Sequence, residues 1–309
     1  MPKRQRDSEF ERRFEKKSRI GEGTFCEVYL AEDRNQSGRK CVVKTMRPED
    51  KCTDEAKTEV HALLALRNAP NIVKMIDYTP QELLVTTLPA EPIEVALEQL
   101  DMNLLEYLRK LPKPQMSMDQ VRLVMRQVLR GVLSCHEKNI VHRDLKPENI
   151  LVQMPTESKP SGNIKIADFN SAKLPNQKWP SDRIYTSLWF CAPESLEQRE
   201  GCGTAADMWA LGCIMAELLG KPLLRANTGD EKANRKKQLD LIYQLCGVEM
   251  QHHRMMWDGV KGLKATLAKR LDLAVDHDCI DLMANLLCYD AKSRITAAEA
   301  MKHPFFAKF

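Results

Sequence analysis

Apolar residues recur at helical spacing most clearly over residues 118–137, where Val121, Val124, Met125, Val128, Leu129, Val132 and Leu133 share one face. Ser117, with Gln120 three residues later, resembles a capping box at the start of that helix. A second helical rhythm spans residues 53–67, with Ala56, Val60, Leu63 and Leu64 on one face, and Asn68-Ala69-Pro70-Asn71 breaks it. Residues 19–47 read as strands, from the β-favouring runs Phe25–Leu30 and Cys41–Val43. Short apolar runs follow at Ile72–Ile76, Leu83–Val85 and Ile93–Leu97, ending in a polar step at Glu98–Asn103. Strand candidates Ile150–Gln153 and Ile164–Ala167 flank a turn, and helices dominate from Ala205 onward. A small β-rich front half and a larger helical back half predict an α+β chain with two lobes around a cleft.

Composition narrows the class. With 309 residues, 43% apolar and 29% charged, the chain can bury a large core. The 13 Gly and 16 Pro exclude collagen-like or mucin-like chains. Ten cysteines include no CxxC pair and no zinc-ligand spacing, so reduced thiols in the cytosol or nucleus are expected. The N-terminus lacks an apolar h-region, and the most apolar stretch, Met208–Leu219, is too short to span a bilayer. Net charge is +4, and the first 20 residues account for all of it, with eight basic groups against four acids. The remaining 39 basic and 39 acidic groups balance, so neither nucleic acid nor membrane is expected as a partner. The charged, aperiodic residues 1–18 are expected to form a mobile arm.

Candidate chemistry clusters in three places. Gly21-Glu22-Gly23-Thr24 lies between two strand candidates, where glycines let the backbone approach phosphate oxygens, although a plain hairpin uses the same residues. Lys44 ends the run Cys41–Val43, and either Glu55 or Glu59 on the next helix can reach it. The third is His142-Arg143-Asp144-Leu145-Lys146-Pro147-Glu148-Asn149, followed 24 residues after Asp144 by Asp168-Phe169-Asn170. A carboxylate base, a cation, an amide and a second carboxylate suit phosphoryl transfer. A polar helix-capping loop would not need these eight linked residues in this order.

From about residue 18 to its end the chain resembles a eukaryotic protein kinase. The resemblance implies a two-lobed kinase fold, with a small lobe at 19–99, a large lobe at 100–309 and the kinase domain at 19–306. It implies a serine/threonine kinase that uses ATP and Mg²⁺ on protein substrates. Gly21 and Gly23 would cover the phosphates, and Lys44 would contact them while pairing with Glu59, whose distance to Pro70-Asn71-Ile72 fits the family better than Glu55 does. Asp144 would be the base, Lys146 the γ-phosphate lysine, and Asn149 and Asp168 the metal ligands. Ala192-Pro193-Glu194, Asp207-Met208-Trp209 and Arg294 match large-lobe motifs, pairing Glu194 with Arg294 and placing Asp207 under the catalytic loop. Leu188–Glu194, Gln238–Ile242 and Lys302–Phe306 are similar to the cyclin-dependent kinases and their relatives. In that alignment Val28 lines the nucleotide site, Leu97 guards the back of the adenine pocket, Glu98 and Leu100 offer backbone hydrogen bonds, and Asn103 lies near the ribose.

Departures from the pattern carry their own expectations. Cys26 replaces a third loop glycine, Phe25 replaces a regulatory tyrosine, and Thr24 keeps its hydroxyl. Asn170 stands for a glycine, with Asn expected to tolerate positive φ there. Asp182 occupies the activating phosphosite, either as a partial substitute for phosphate or as an exposed loop acid, and Ser181 and Thr186 are further candidate phosphosites. Its cationic partners thin to Arg143 and Lys173, with Thr58 in place of a third. Cys191 replaces an arginine that favours proline after the target residue. Residues 50–59 do not reproduce the cyclin-contacting helix, which leaves a cyclin-like or other activating subunit open. Residues 221–262, longer and richer in Lys and Asn than the relatives' docking insert, read as a solvated loop. The alternative function is a kinase-fold scaffold that binds nucleotide and partners. The presence of Lys44, Asp144, Asn149 and Asp168 together disfavours it.

Overall fold

The computed structural model describes residues 9–22, 26–46, 50–80, 92–113, 115–157, 162–175, 187–199, 203–251, 254–257, 259–272 and 276–307. The β-favouring runs of the first third build one antiparallel sheet from β1 (Phe14–Glu22), β2 (Cys26–Asp33), β3 (Arg39–Met46), β4 (Met75–Thr79) and β5 (Ile93–Glu98). The strand order is β1-β2-β3-β5-β4, and α2 (Asp50–Ala65) connects β3 to β4. Residues opposite one another in such a sheet share a face, and neighbours along a strand alternate. The register sets Gly21 opposite Val28, Val28 opposite Lys44, and Val42 opposite Leu97. The other face carries Ala31, Cys41, Val43 and Ala96, which form a separate small core with Phe10 and Phe14. A slip of one residue would exchange the two faces, so this burial pins the register.

Residues 9–18, expected within a mobile arm, are folded. A short helix α1 (Glu9–Arg13) leads into β1 and lays Phe10 and Phe14 against the outer face of the sheet, their ring centroids 4.6 Å apart. Arg13 donates to both oxygens of Asp33 at 3.1 and 2.9 Å and to Asp77 at 2.8 Å. The dense charge of this stretch drove the expectation of an arm, yet two phenylalanines at i, i+4 cover apolar strand residues that would otherwise face water. On α2, Ala56, Glu59, Val60 and Leu63 are buried as the helical period predicts, whereas Leu64, placed on the same face from sequence, is exposed. Leu83–Val85 lie outside the described residues.

The larger part begins with β6 (Met102–Asn103), α3 (Leu104–Lys110) and α4 (Met118–Glu137), followed by β7 (Ile150–Gln153) and β8 (Asn163–Ile166). β6, β7 and β8 form a three-stranded antiparallel sheet. The capping box of α4 is present: the Ser117 hydroxyl accepts from Gln120 N at 3.3 Å, and the Gln120 carboxamide accepts from Ser117 N at 2.9 Å. Next come α5 (Pro193–Leu196), α6 (Thr204–Leu218), α7 (Glu231–Cys246), the hairpin β9 (Val248–Gln251) and β10 (Arg254–Trp257), then α8 (Gly259–Leu271), α9 (His277–Leu286) and α10 (Ala297–Ala300). The apolar stretch noted in the sequence becomes α6, buried on nearly all sides. At Gly212 a Cβ would stand 2.7 Å from Leu287, so glycine permits the close approach at this point. Among the described residues no helix is long and apolar enough to cross a membrane.

Residues 221–262 are not the solvated loop expected. α7 buries Gln238, Ile242, Leu245 and Cys246 at helical spacing, while its Lys and Asn residues occupy the outer side. Composition alone hid that period. Glu194 and Arg294 pair as expected, through bonds of 2.6 and 3.0 Å, and join α5 to the segment before α10.

Candidate active site

Three chain segments converge at the edge where the five-stranded sheet meets the helical part. Lys44, projecting from β3 beside Val28, places its ammonium 2.8 Å from Glu59 Oε2 and 2.8 Å from Asp168 Oδ1. Glu59 is therefore the helix partner, and Glu55 stands one turn away. Burial opposes charge on Lys44, but Asp168 and Glu59 together overcome it and hold its pKa above the ordinary value. Asp168 is likewise opposed by burial, yet the Lys44 ammonium dominates and draws its carboxyl below the usual range. Glu59, the most enclosed of the three, is pushed upward by burial despite its contact with Lys44. Asp168 thus stays ionised at neutral pH and offers carboxylate oxygen to a cation.

The loop after α4 carries the second group. Asp144 accepts from Lys146 Nζ at 2.7 Å and from Asn149 Nδ2 at 3.0 Å on one oxygen. Its other oxygen accepts from the Ser187 backbone N–H at 3.0 Å and the Ser187 hydroxyl at 3.1 Å. Lys146 also reaches the Ser187 hydroxyl at 2.9 Å. The amide nitrogen of Asn149 is spent on Asp144, on its backbone oxygen at 2.8 Å and on its carboxylate, which leaves the carboxamide oxygen as the atom for a cation.

Asp207, in the first turn of α6, supports this loop from beneath. It accepts from the backbone N–H groups of His142 and Arg143, each at 2.9 Å, and from His136 Nε2 at 2.9 Å. Burial raises its pKa, but these hydrogen bonds and the two imidazoles lower it further, and the net direction is down. His142 Nδ1 accepts from Asp144 N at 3.2 Å, so Nε2 carries the proton and donates to Ala167 O at 3.0 Å. Its ring meets Phe169 edge-on at 4.7 Å. Arg143, in the left-handed region at φ 67°, donates to Ser171 O at 2.6 Å and Ala172 O at 3.3 Å. In this way the loop, the strand end at Ala167 and the segment after Asp168 are locked into one polar network.

The nucleotide residues expected from sequence divide. Gly21, Val28, Lys44 and Leu97 share the sheet face toward the cleft. Glu98 is the last residue of β5, and Leu100 lies on the connection from β5 to β6. Asn103 is the N-cap of α3, its side chain accepting from Glu106 N at 2.8 Å, so part of its hydrogen-bonding capacity serves the helix. Asn170 corrects the expectation of a positive φ: the left-handed residue of the motif is Asp168, at φ 64°, and Asn170 replaces glycine without that strain. Gly23, Thr24, Ser181, Asp182 and Thr186 lie outside the described residues. Cys191 is fully buried, and no disulfide joins the described cysteines.

Sequence reasoning missed Ser187, which stands 43 positions from Asp144 and carries no local signal of the contact. Ile20, a large apolar side chain on β1 next to Gly21, is left 56% exposed.

A hydroxyl-facing carboxylate, a lysine held between two acids and two oxygen donors define a site for moving a phosphoryl group. The protein kinase domain family matches residues 14–306, and the chain belongs to that family. Within it, the chain is similar to Cyclin-dependent kinase B2-2 of Arabidopsis thaliana, at 31% identity over 95% of this chain and 92% of the relative. It is equally similar to Cyclin-dependent kinase B2-1 of Oryza sativa subsp. japonica, at 31% identity over 95% of this chain and 89% of the relative. It is a serine/threonine protein kinase of the cyclin-dependent-kinase-like kind.

Proposed function

We propose that this kinase transfers the γ-phosphoryl group of Mg-ATP to serine or threonine hydroxyls of protein substrates, with Asp144 as the base. The observation that carries this reading is the convergence of Lys146, Asn149 and Ser187 on Asp144. Asp144 accepts the proton of the incoming hydroxyl, and Ser187 and Lys146 orient its carboxylate. Lys44, positioned by Glu59, contacts the nucleotide phosphates, and the glycine stretch of Gly21 and Gly23 serves to bind them. Leu97, Glu98, Leu100, Val28 and Asn103 hold the adenosine. Asp168 and the carboxamide oxygen of Asn149 form the hard oxygen set that Mg²⁺ prefers. The metal supplies charge neutralisation at the phosphates, while this chain supplies position and the base.

Cys191 is a fully enclosed thiol, so the platform for the residue after the target lacks a cation there. Peptides with proline at that position are expected to react no faster than their alanine counterparts. A cyclin-like activating subunit is the partner that the names of the relatives bring to this reading, and the protein acts in the cytoplasm or nucleus. Asp182 stands in part for an activating phosphate, so Asp182→Ala lowers the activity of unphosphorylated enzyme. A peptide-array assay with Asp144→Asn as control tests the whole reading. Phosphate transfer that requires Mg²⁺ and disappears in Asp144→Asn is expected, and transfer to no protein or peptide would overturn it.

A further inference from the structure

Behind the nucleotide face, the connection from β5 to β6 is held by an ion pair that the catalytic network does not use. Glu98, the last residue of β5, accepts from Lys74 N at 2.6 Å, and its own N–H donates to Lys74 O at 2.9 Å. The same Glu98 oxygen meets the ammonium of Lys165, whose side chain is 17% exposed and whose strand, β8, ends two residues before Asp168. The chain leaving α2 is sewn to the same strand. Ile166 N donates to Asn71 O at 2.8 Å and Val73 N to Ile166 O at 2.9 Å. Asn71 Nδ2 donates to Ile164 O at 2.7 Å and to Gln127 on α4 at 3.2 Å. A Cβ on Gly131 of α4 would stand 2.8 Å from Asn71 O, so these segments are in close contact. One carboxylate therefore links the hinge, the exit from α2 and the strand that delivers Asp168.

We propose that the Glu98–Lys165 pair is a positioning device that couples nucleotide binding at the hinge to the placement of Asp168 for metal. Glu98 contributes its backbone to the adenine side while its carboxylate holds Lys165, so a shift of the hinge moves β8 and the ligand at its end. The pair is only partly enclosed, which keeps it sensitive to charge and salt. Coupling of this kind is a ratio of affinities and is read as one.

The proposal rests on the reading of Glu98 as hinge and Asp168 as metal ligand. The experiment measures ADP binding with and without Mg²⁺ by calorimetry on wild type, Glu98→Gln, Lys165→Met and the charge-swapped double variant Glu98→Lys/Lys165→Glu. The factor by which Mg²⁺ tightens ADP binding is expected to fall about threefold or more in each single variant and to recover in part in the swap. Lys165→Met keeps the test open where Glu98→Gln disturbs folding, because it leaves the Glu98–Lys74 contacts in place. A ratio equal to wild type in folded Lys165→Met, with only the unfolding temperature changed, reduces the pair to a structural tie and overturns the proposal. A wild-type protein whose ADP binding is indifferent to Mg²⁺ overturns the underlying reading as well.

Discussion

Asp207→Asn tests the support beneath the catalytic loop. One carboxylate oxygen serves the N–H of His142 and His136 Nε2, and the other serves the N–H of Arg143, all at 2.9 Å. A carboxamide keeps one of these oxygens and turns an NH₂ toward the remaining donor or donors. A hydrogen bond to a charged group contributes about 1.5–3 kcal/mol, and a buried donor left unmet costs about 1–3 kcal/mol. Losing one such contact and stranding its donor gives an expected destabilisation of about 3–5 kcal/mol. Urea denaturation reads this as a lower midpoint at unchanged slope. Because the loop carries Asp144, kcat is expected to fall about tenfold or more, with a smaller change in the KM for peptide.

The same substitution has a signature in pH. The Asp207 carboxyl is depressed in the folded protein by its hydrogen bonds and the neighbouring imidazoles, against the opposing effect of burial. A depressed acid contributes stability that is present above its unfolded pKa of about 3.9 and is lost as pH falls through the folded value. Asparagine does not titrate, so the stability gap between wild type and variant is expected to narrow below about pH 4. A wild-type midpoint in the variant, or a gap that stays constant from about pH 7 to about pH 3, would refute the reasoning.

Two further outcomes follow from geometry. Ser187→Ala deletes the hydroxyl that meets Asp144 at 3.1 Å and Lys146 at 2.9 Å but keeps the backbone contact, so kcat should drop about tenfold while Ser187→Thr retains activity. Steady-state kinetics on one peptide check this, and equal kcat for both variants contradicts it. Phe14→Ala empties a site that is 2% exposed in the outer core of the small lobe, with an expected loss of about 3–5 kcal/mol. Chemical denaturation measures it, and a loss below about 1 kcal/mol would mean that α1 and the start of β1 are not a working part of the lobe.

Patterns whose physics is local were readable in order along the chain. The period of α4, its capping box and the β-branched runs of β3 and β5 depend on neighbours within a few residues. The linked motif from His142 to Asn149 likewise exposed the chemistry, because its roles sit in one loop. Where composition and period conflicted, composition misled. Residues 9–18 looked like an arm because charge outnumbers Phe10 and Phe14, and α7 looked like a loop because lysines mask its buried side. Asn170 was judged by the family's glycine, while the backbone places its left-handed residue at Asp168.

The sequence by itself showed most of the element types and the candidate groups for chemistry, since helical and strand periods and side-chain chemistry are properties of residues and their near neighbours. Beyond the pairs that the motifs had already assigned, the tertiary structure decided which remote groups meet. It bore out Glu59, already chosen over Glu55 from the resemblance, as the partner of Lys44, brought Ser187 to Asp144 across 43 positions, and joined Glu98 to Lys165 across 67. Those contacts depend on sheet register, on the close approach of α4 at Gly131 and on the buried acid at the start of α6. Each is a distance between segments remote in sequence, and it is set by packing the whole core.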